Sequence, residues 1–164
     1  MGMRVTVPPG FLPAELKALS GVHQNVLVDY TLDQINSSDY DVLAVPRGWQ
    51  KYGFYENGCQ NDFLEVIRKF NDSGKIIVAI CTGAVLLARS GILQGRKATT
   101  HIIRQPELLE EAVVLLQESI VVDGNITTSQ HPSSAIDVAF SLLEKLTNPE
   151  NVKSVRKLMG FLKE

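Results

Sequence analysis

The segment Lys75–Ala88, KIIVAICTGAVLLA, sets a single cysteine and a Thr-Gly pair between two apolar runs. IIVAI is a short uninterrupted apolar run, the pattern of a strand buried on both faces. AVLLARSG after the cysteine has helical spacing, and Gly91 can end it in a left-handed cap. A strand that turns directly into a helix is the unit of an α/β fold. In such folds ligands bind outside the carboxyl ends of the strands, which is where Cys81 falls.

The rest of the chain repeats this alternation. RVTVP, NVLV and DVLAVP read as strands and Pro13–Leu19 as a short helix followed by Gly21. Asn61 or Asp62 is placed to cap the helix DFLEVIRKF, whose Phe63, Leu64, Ile67 and Phe70 share a face, with Gly74 closing it. KATTH reads as a strand ending in His101, PELLEE as a short helical segment and VVLL as a strand. In SIVVDGNITTS, the Asp123-Gly124 pair signals a hairpin with a type I′ turn. Ser134 and Asp137 predict a capping box for AIDVAFSLLEKL, and NPENVKSVRKLMGFLK supplies a last amphipathic helix. No repeat, low-complexity tract or linker divides the 164 residues. The expectation is a single domain over residues 1–164, of α/β class, with a mainly parallel central sheet covered by helices on both faces.

Composition narrows the function. With 45% hydrophobic and 21% charged residues, a net charge of -2 and scattered basic residues, the chain has no footprint for nucleic acid or an acidic membrane surface. No apolar run approaches the roughly 20 residues of a membrane span. The start MGMRVTVPPG lacks a charged stretch followed by an apolar one, so cytoplasm is the expected location. The two cysteines, Cys59 and Cys81, lie in different surroundings and suggest neither a disulfide framework nor a metal cluster.

At Cys81 a sharp strand-to-helix turn would expose the side chain, with small Thr82 and Gly83 giving the backbone room, and a helix N-terminus would favour the thiolate. The G-x-S-x-G form is absent, however, and a cysteine is also a small buried hydrophobe. Taken alone, the pattern leaves both readings open.

ICTGAVLLARSGILQGRKATTH resembles the nucleophile region of the ThiJ/PfpI superfamily, the glutamine-amidotransferase-like group. SSDYDVLAVPRG, SIVVDGNITTSQHPSSAIDVAFSLLEKL and VRKLMGF are similar to its strand before a Gly-Gly turn, its closing hairpin and helix, and its tail. The resemblance implies a three-layer, flavodoxin-like fold and a cofactor-free, cysteine-dependent enzyme acting on a small molecule. Cys81 matches the family nucleophile, Glu15 the acidic residue beside it and His101 a histidine often found on the next strand. The backbone amides of Gly48 and Thr82 match the groups that stabilise an oxyanion. A protonated Glu15 could hydrogen-bond the thiolate and shuttle a proton. Read without the resemblance, Glu15 is a solvated first-turn glutamate and His101 a satisfied strand-end histidine.

Several features depart from the family. Arg47 replaces the first glycine of the Gly-Gly pair, so it either adopts a glycine-like backbone or places a positive charge at the pocket mouth that selects anionic substrates; a solvated arginine is the plainer alternative. Trp49, Tyr52, Phe54 and Tyr55 in WQKYGFYENGCQ could wall the site or simply pin the loop, and Cys59 falls in its polar tip. His131 stands where relatives commonly carry basic or small residues and, with Arg47 and Trp49, is a candidate lining residue of the substrate pocket. The N-terminal region is short, which trims one sheet edge and leaves the family's common homodimer open. The expected reactions are isonitrile hydration, amide hydrolysis, or glyoxalase and deglycase chemistry on an aldehyde. The competing reading is a non-catalytic redox or ligand sensor built on oxidation of Cys81.

Overall fold

The computed structural model describes residues 30–161, apart from the Tyr52 side chain. The expected first strand, the helix carrying Glu15 and the NVLV strand lie outside the described residues. Strands β1 (Val42–Val45), β2 (Ile76–Ile80), β3 (Lys97–Ala98), β4 (Val114–Leu115), β5 (Ile120–Asp123) and β6 (Ile126–Ser129) alternate with helices. The helices are α1 (Phe54–Gly58), α2 (Asn61–Asp72), α3 (Ala84–Arg89), α4 (Gln105–Glu110), α5 (Ala135–Leu146) and α6 (Pro149–Leu158). The main sheet has the order β1-β2-β6-β5, with β1, β2 and β6 parallel and β5 antiparallel to β6. β3 and β4 form a separate parallel pair.

Parallel register puts partnered residues on the same face. Leu43, Ile77 and Ile126 form one row, and Val45 with Ala79 the next; both rows are buried in one core with Phe63, Val66, Ile67 and Phe70 of α2 and the whole apolar run of α3. On the opposite face Val78 pairs with Thr127, whose hydroxyl accepts a 3.2 Å hydrogen bond from Lys145 of α5. α6 packs on α5, and Arg156 stacks 4.1 Å over the Phe140 ring. Helices thus cover both faces, as the alternating pattern requires. Among the described residues no helix is long and apolar enough to cross a membrane.

The local chemistry departs from expectation in four places. α2 begins at Asn61 after Gln60, and neither Asn61 nor Asp62 caps it from outside; Asp62 accepts instead from the amide of the next residue, Phe63. Ser134 caps nothing, because the turn Pro132–Ser134 already runs with helical backbone into α5 and the Ser134 hydroxyl donates back to the His131 carbonyl at 2.6 Å. In the hairpin, Asp123 pairs with Ile126, so the loop is Gly124-Asn125, one residue later than expected. Only Gly124 has positive φ there, which is the II′ pattern with glycine first. Finally, β3 stops at Ala98, short of His101.

Gly83 is where close approach demands glycine: a Cβ there would lie 2.8 Å from the carbonyl oxygens of both Val45 and Pro46. Gly83→Ala should therefore destabilise the fold by about 1–3 kcal/mol, the usual cost of overpacking. Urea unfolding measures this, and an unchanged midpoint would contradict the packing.

Candidate functional site

β1, β2 and β6 run parallel, so their carboxyl ends open on the same side, and one pocket gathers the residues at and just past those ends. Arg47, Gly48 and Trp49 come from beyond β1, Cys81 and Thr82 from the end of β2, and Pro132 from beyond β6. His101 and Ile103, from the stretch after β3, complete the wall of a small cleft that is open to solvent. Most of the sequence-derived candidates are thus brought into one place. His131 stands one step back, its ring edge-on to His101 at 6.0 Å. Glu15 lies outside the described residues.

Cys81 has φ 56°, one of two non-glycine residues with positive φ among those described. Such a conformation costs a β-carbon-bearing residue about 1–3 kcal/mol and persists only where neighbours impose it. They do so here. Thr100 donates its hydroxyl to the Cys81 carbonyl at 2.8 Å, and Thr82 ties the elbow to the loop after β1. Its Oγ1 donates to the Gly48 carbonyl at 2.9 Å and accepts from the Gly48 amide at 3.1 Å. Gly48 itself must lack a side chain, since a Cβ would sit 2.0 Å from the buried Phe54 ring. Arg47 does not adopt the left-handed backbone considered for it, as its φ is not positive.

One candidate oxyanion amide, that of Gly48, is therefore occupied by Thr82 Oγ1, while the Thr82 amide favours the thiolate form of the adjacent Cys81. His101 accepts the Ile103 amide on Nδ1 at 3.4 Å, which leaves Nε2 turned to other partners. Trp49 is 44% exposed and carries the Arg47 guanidinium 5.7 Å from its ring centroid. One residue given no individual role in the sequence is Tyr55. Its hydroxyl is buried beside that of Thr82 yet closes no hydrogen bond, and Arg104, paired with Glu107, stacks 4.5 Å over its ring. Only proximity in the fold, 27 residues from Thr82 by number, reveals it. Cys59, expected in an exposed tip, is half-buried and packs against the core. Among the described residues no group of three or more His, Cys, Asp or Glu is disposed to hold a metal.

An α/β sheet that presents a left-handed cysteine at a strand-to-helix turn, inside a pocket at the strand ends, defines a cysteine-elbow protein of the glutamine-amidotransferase-like class. The chain belongs to the DJ-1/PfpI family, whose model matches residues 5–145. It is 33% identical to Deglycase PfpI of Pyrococcus furiosus over 119 residues, 72% of this chain and 70% of that protein. It is 29% identical to an isonitrile hydratase of Pseudomonas putida over 121 residues, 74% of this chain but 52% of that enzyme. Among solved structures, Drosophila melanogaster DJ-1beta matches with a TM-score of 0.74 at 28% identity, over 84% of this chain and 73% of that one.

The sequence leads to the expectation of a Cys81 pKa depressed relative to Cys59 by the elbow and helix terminus; in the fold burial raises both thiols. Cys81 is only 3% exposed, and its burial pushes the thiol above its ordinary value; the Thr82 amide and the Arg47 charge pull the other way without prevailing. The expected helix terminus contributes little because α3 starts only at Ala84 and has six residues. Cys59 is also raised by burial. Since the folded state holds the Cys81 proton more tightly than the unfolded chain, this part of stability is present below the unfolded pKa and is lost as pH rises through the folded one. Alkylation of Cys81 by neutral iodoacetamide should reach half-maximal rate at a pH above the ordinary thiol value of about 8.5. Arg47→Ala should move that midpoint higher still. Mass spectrometry of the labelled peptide reads both, and a midpoint lower than an ordinary thiol's would refute the assignment.

Proposed function

We propose that this protein is a cofactor-free enzyme in which Cys81 adds to a small electrophilic carbon, as in aldehyde (glyoxalase or deglycase), isonitrile or amide chemistry. The observation that carries this reading is the strained φ of Cys81 at the floor of the strand-end pocket. Holding a β-carbon-bearing residue there has a cost, and the cost is explained if a sulfur must face the pocket. Names of the relatives, a deglycase and an isonitrile hydratase, support the same class of reaction.

In this reading the thiol loses its proton and the sulfur attacks the carbon. With an aldehyde or amide the C=O π pair moves to oxygen, which takes the proton; with an isonitrile the proton goes to the attacked carbon itself, giving a thioimidate. His101, through Nε2, and a protonated Glu15 are the proposed proton carriers. The Thr82 amide is the proposed donor to the developing anion, while the Gly48 amide, held by the Thr82 hydroxyl, keeps the neighbouring loop in place. Burial keeps the resting thiol protonated and therefore unreactive until a substrate displaces water and supplies an acceptor.

Purified protein assayed against methylglyoxal, an isonitrile and simple amides tests this, with Cys81→Ser as control. One substrate should turn over, and Cys81→Ser should lose at least about a thousandfold of that rate, as loss of a nucleophile does. Thr82→Val keeps the shape but strands two buried polar groups of Gly48, so it should cost about 1–3 kcal/mol in urea unfolding as well as slowing turnover. Turnover that survives Cys81→Ser would defeat the proposal. If nothing turns over and a few equivalents of peroxide convert Cys81 quantitatively to the sulfinate, the sensor reading takes its place.

A further inference from the structure

The arginine beside the thiol has no carboxylate partner among the described residues. Arg47 lines the pocket with Cys81, yet the ion pairs there fall to Lys69, Arg89, Arg104 and Arg156, none of them to Arg47. Arg104 makes the contrast. It also approaches the site, through Tyr55, but its charge is taken up by Glu107 at 2.6 Å and its second nitrogen by Gln50 at 3.2 Å. Arg47 has instead the Trp49 face, which orients a guanidinium and leaves its in-plane N–H donors free. Among the described residues no acidic side chain lines the pocket, and the remaining wall, Ile103 and Pro132, is apolar. Among the described residues, then, the cleft holds one positive charge that no carboxylate pairs, beside the sulfur it influences.

We propose that Arg47 is a subsite for the anionic group of the substrate, and that the substrate is a small acid whose carboxylate adjoins the electrophilic carbon, as in a 2-oxo acid. The inference rests on the nucleophilic role of Cys81 and names the substrate class for it. The guanidinium offers paired donors that match a carboxylate. Arg47 and Cys81 line the same small cleft, so only a few atoms separate the group held by Arg47 from the carbon attacked by Cys81. That carboxylate also brings the counter-charge for the guanidinium. In the first step the S–H proton leaves, a C–S bond forms, the C=O π pair passes to oxygen, and that oxygen takes one proton, giving a hemithioacetal or hemithioketal with no oxidant or further reactant. Trp49 fixes the guanidinium, so it acts as a positioning residue.

Two alkylating agents of nearly equal shape test this on the whole protein. Iodoacetate is an anion and iodoacetamide is neutral; each transfers its CH2 carbon to a thiolate with loss of iodide. A change in thiol pKa alters both rates together, so their ratio at Cys81 reads only the charge of the reagent. A small uncharged thiol, N-acetylcysteine amide, serves as the reference, because Cys59 has charges of its own nearby, Arg89 and Glu56. The iodoacetate-to-iodoacetamide ratio should be about tenfold higher at Cys81 than at that thiol, the effect of one nearby charge at a partly solvated site. Arg47→Gln should remove that preference and Arg47→Lys should keep most of it, while circular dichroism confirms that both variants fold. A ratio unchanged by Arg47→Gln, with Cys81 still labelled, overturns the anionic subsite and leaves the nucleophile standing. Failure of either reagent to label Cys81 at any pH in the folded protein overturns the nucleophile, and the subsite with it.

Discussion

The site hangs on the pair of hydrogen bonds between the Thr82 hydroxyl and the backbone of Gly48. One side chain satisfies both polar groups of a buried glycine and so joins the loop after β1 to the turn after β2. Together with the Gly83 backbone packed against the Val45 and Pro46 carbonyls and the Phe54 amide on the Trp49 carbonyl, it fixes Arg47 and Trp49 relative to Cys81. The glycine is required because Phe54 occupies the space of a side chain. Phe54 in turn belongs to the core that runs beneath α2 and α3. Core packing, loop position and thiol geometry therefore form one mechanical unit.

Much of this was legible in the sequence because it is local. The uninterrupted IIVAI run, the small residues after Cys81 and the glycines at 74 and 91 each act within a few positions, and their strand, turn and helix ends appear where the pattern places them. The antiparallel pairing of β5 and β6 was equally plain, although its turn slides by one residue because Gly124, rather than the Asp123-Gly124 pair, supplies the positive φ at the first central position. The helix caps failed for a related reason. A serine or aspartate has several backbone partners within reach, and the backbone path, which the sequence does not display, selects among them.

The features that escaped were long-range. Thr82 and Gly48 are separated by 34 positions, and nothing in either neighbourhood announces that a hydroxyl will close on that amide. The direction of the Cys81 pKa also depends on how deeply the sulfur is buried, a property of the assembled fold; local reasoning weighed the helix terminus and had no measure of desolvation. Arg47 illustrates the opposite error. It suggested backbone strain because relatives place glycine there, whereas the strain resides at Cys81 and the arginine sits in ordinary backbone.

The chain just past β2 and β3 and the end of β6 carry a set of buried alcohols. Thr82, Thr99, Thr100, Thr128 and Ser129 are all buried, and the hydroxyls of Thr99 and Ser129 close no hydrogen bond. A hydroxyl exchanges donor for acceptor by turning about a single C–O bond, without displacing any heavy atom. The sheet can therefore stay rigid while its dipoles reorient, so that the floor of the site behaves as a solid in shape and as a polarisable medium in charge. A charge appearing near these alcohols is met by turning hydroxyls while the heavy atoms hold their places.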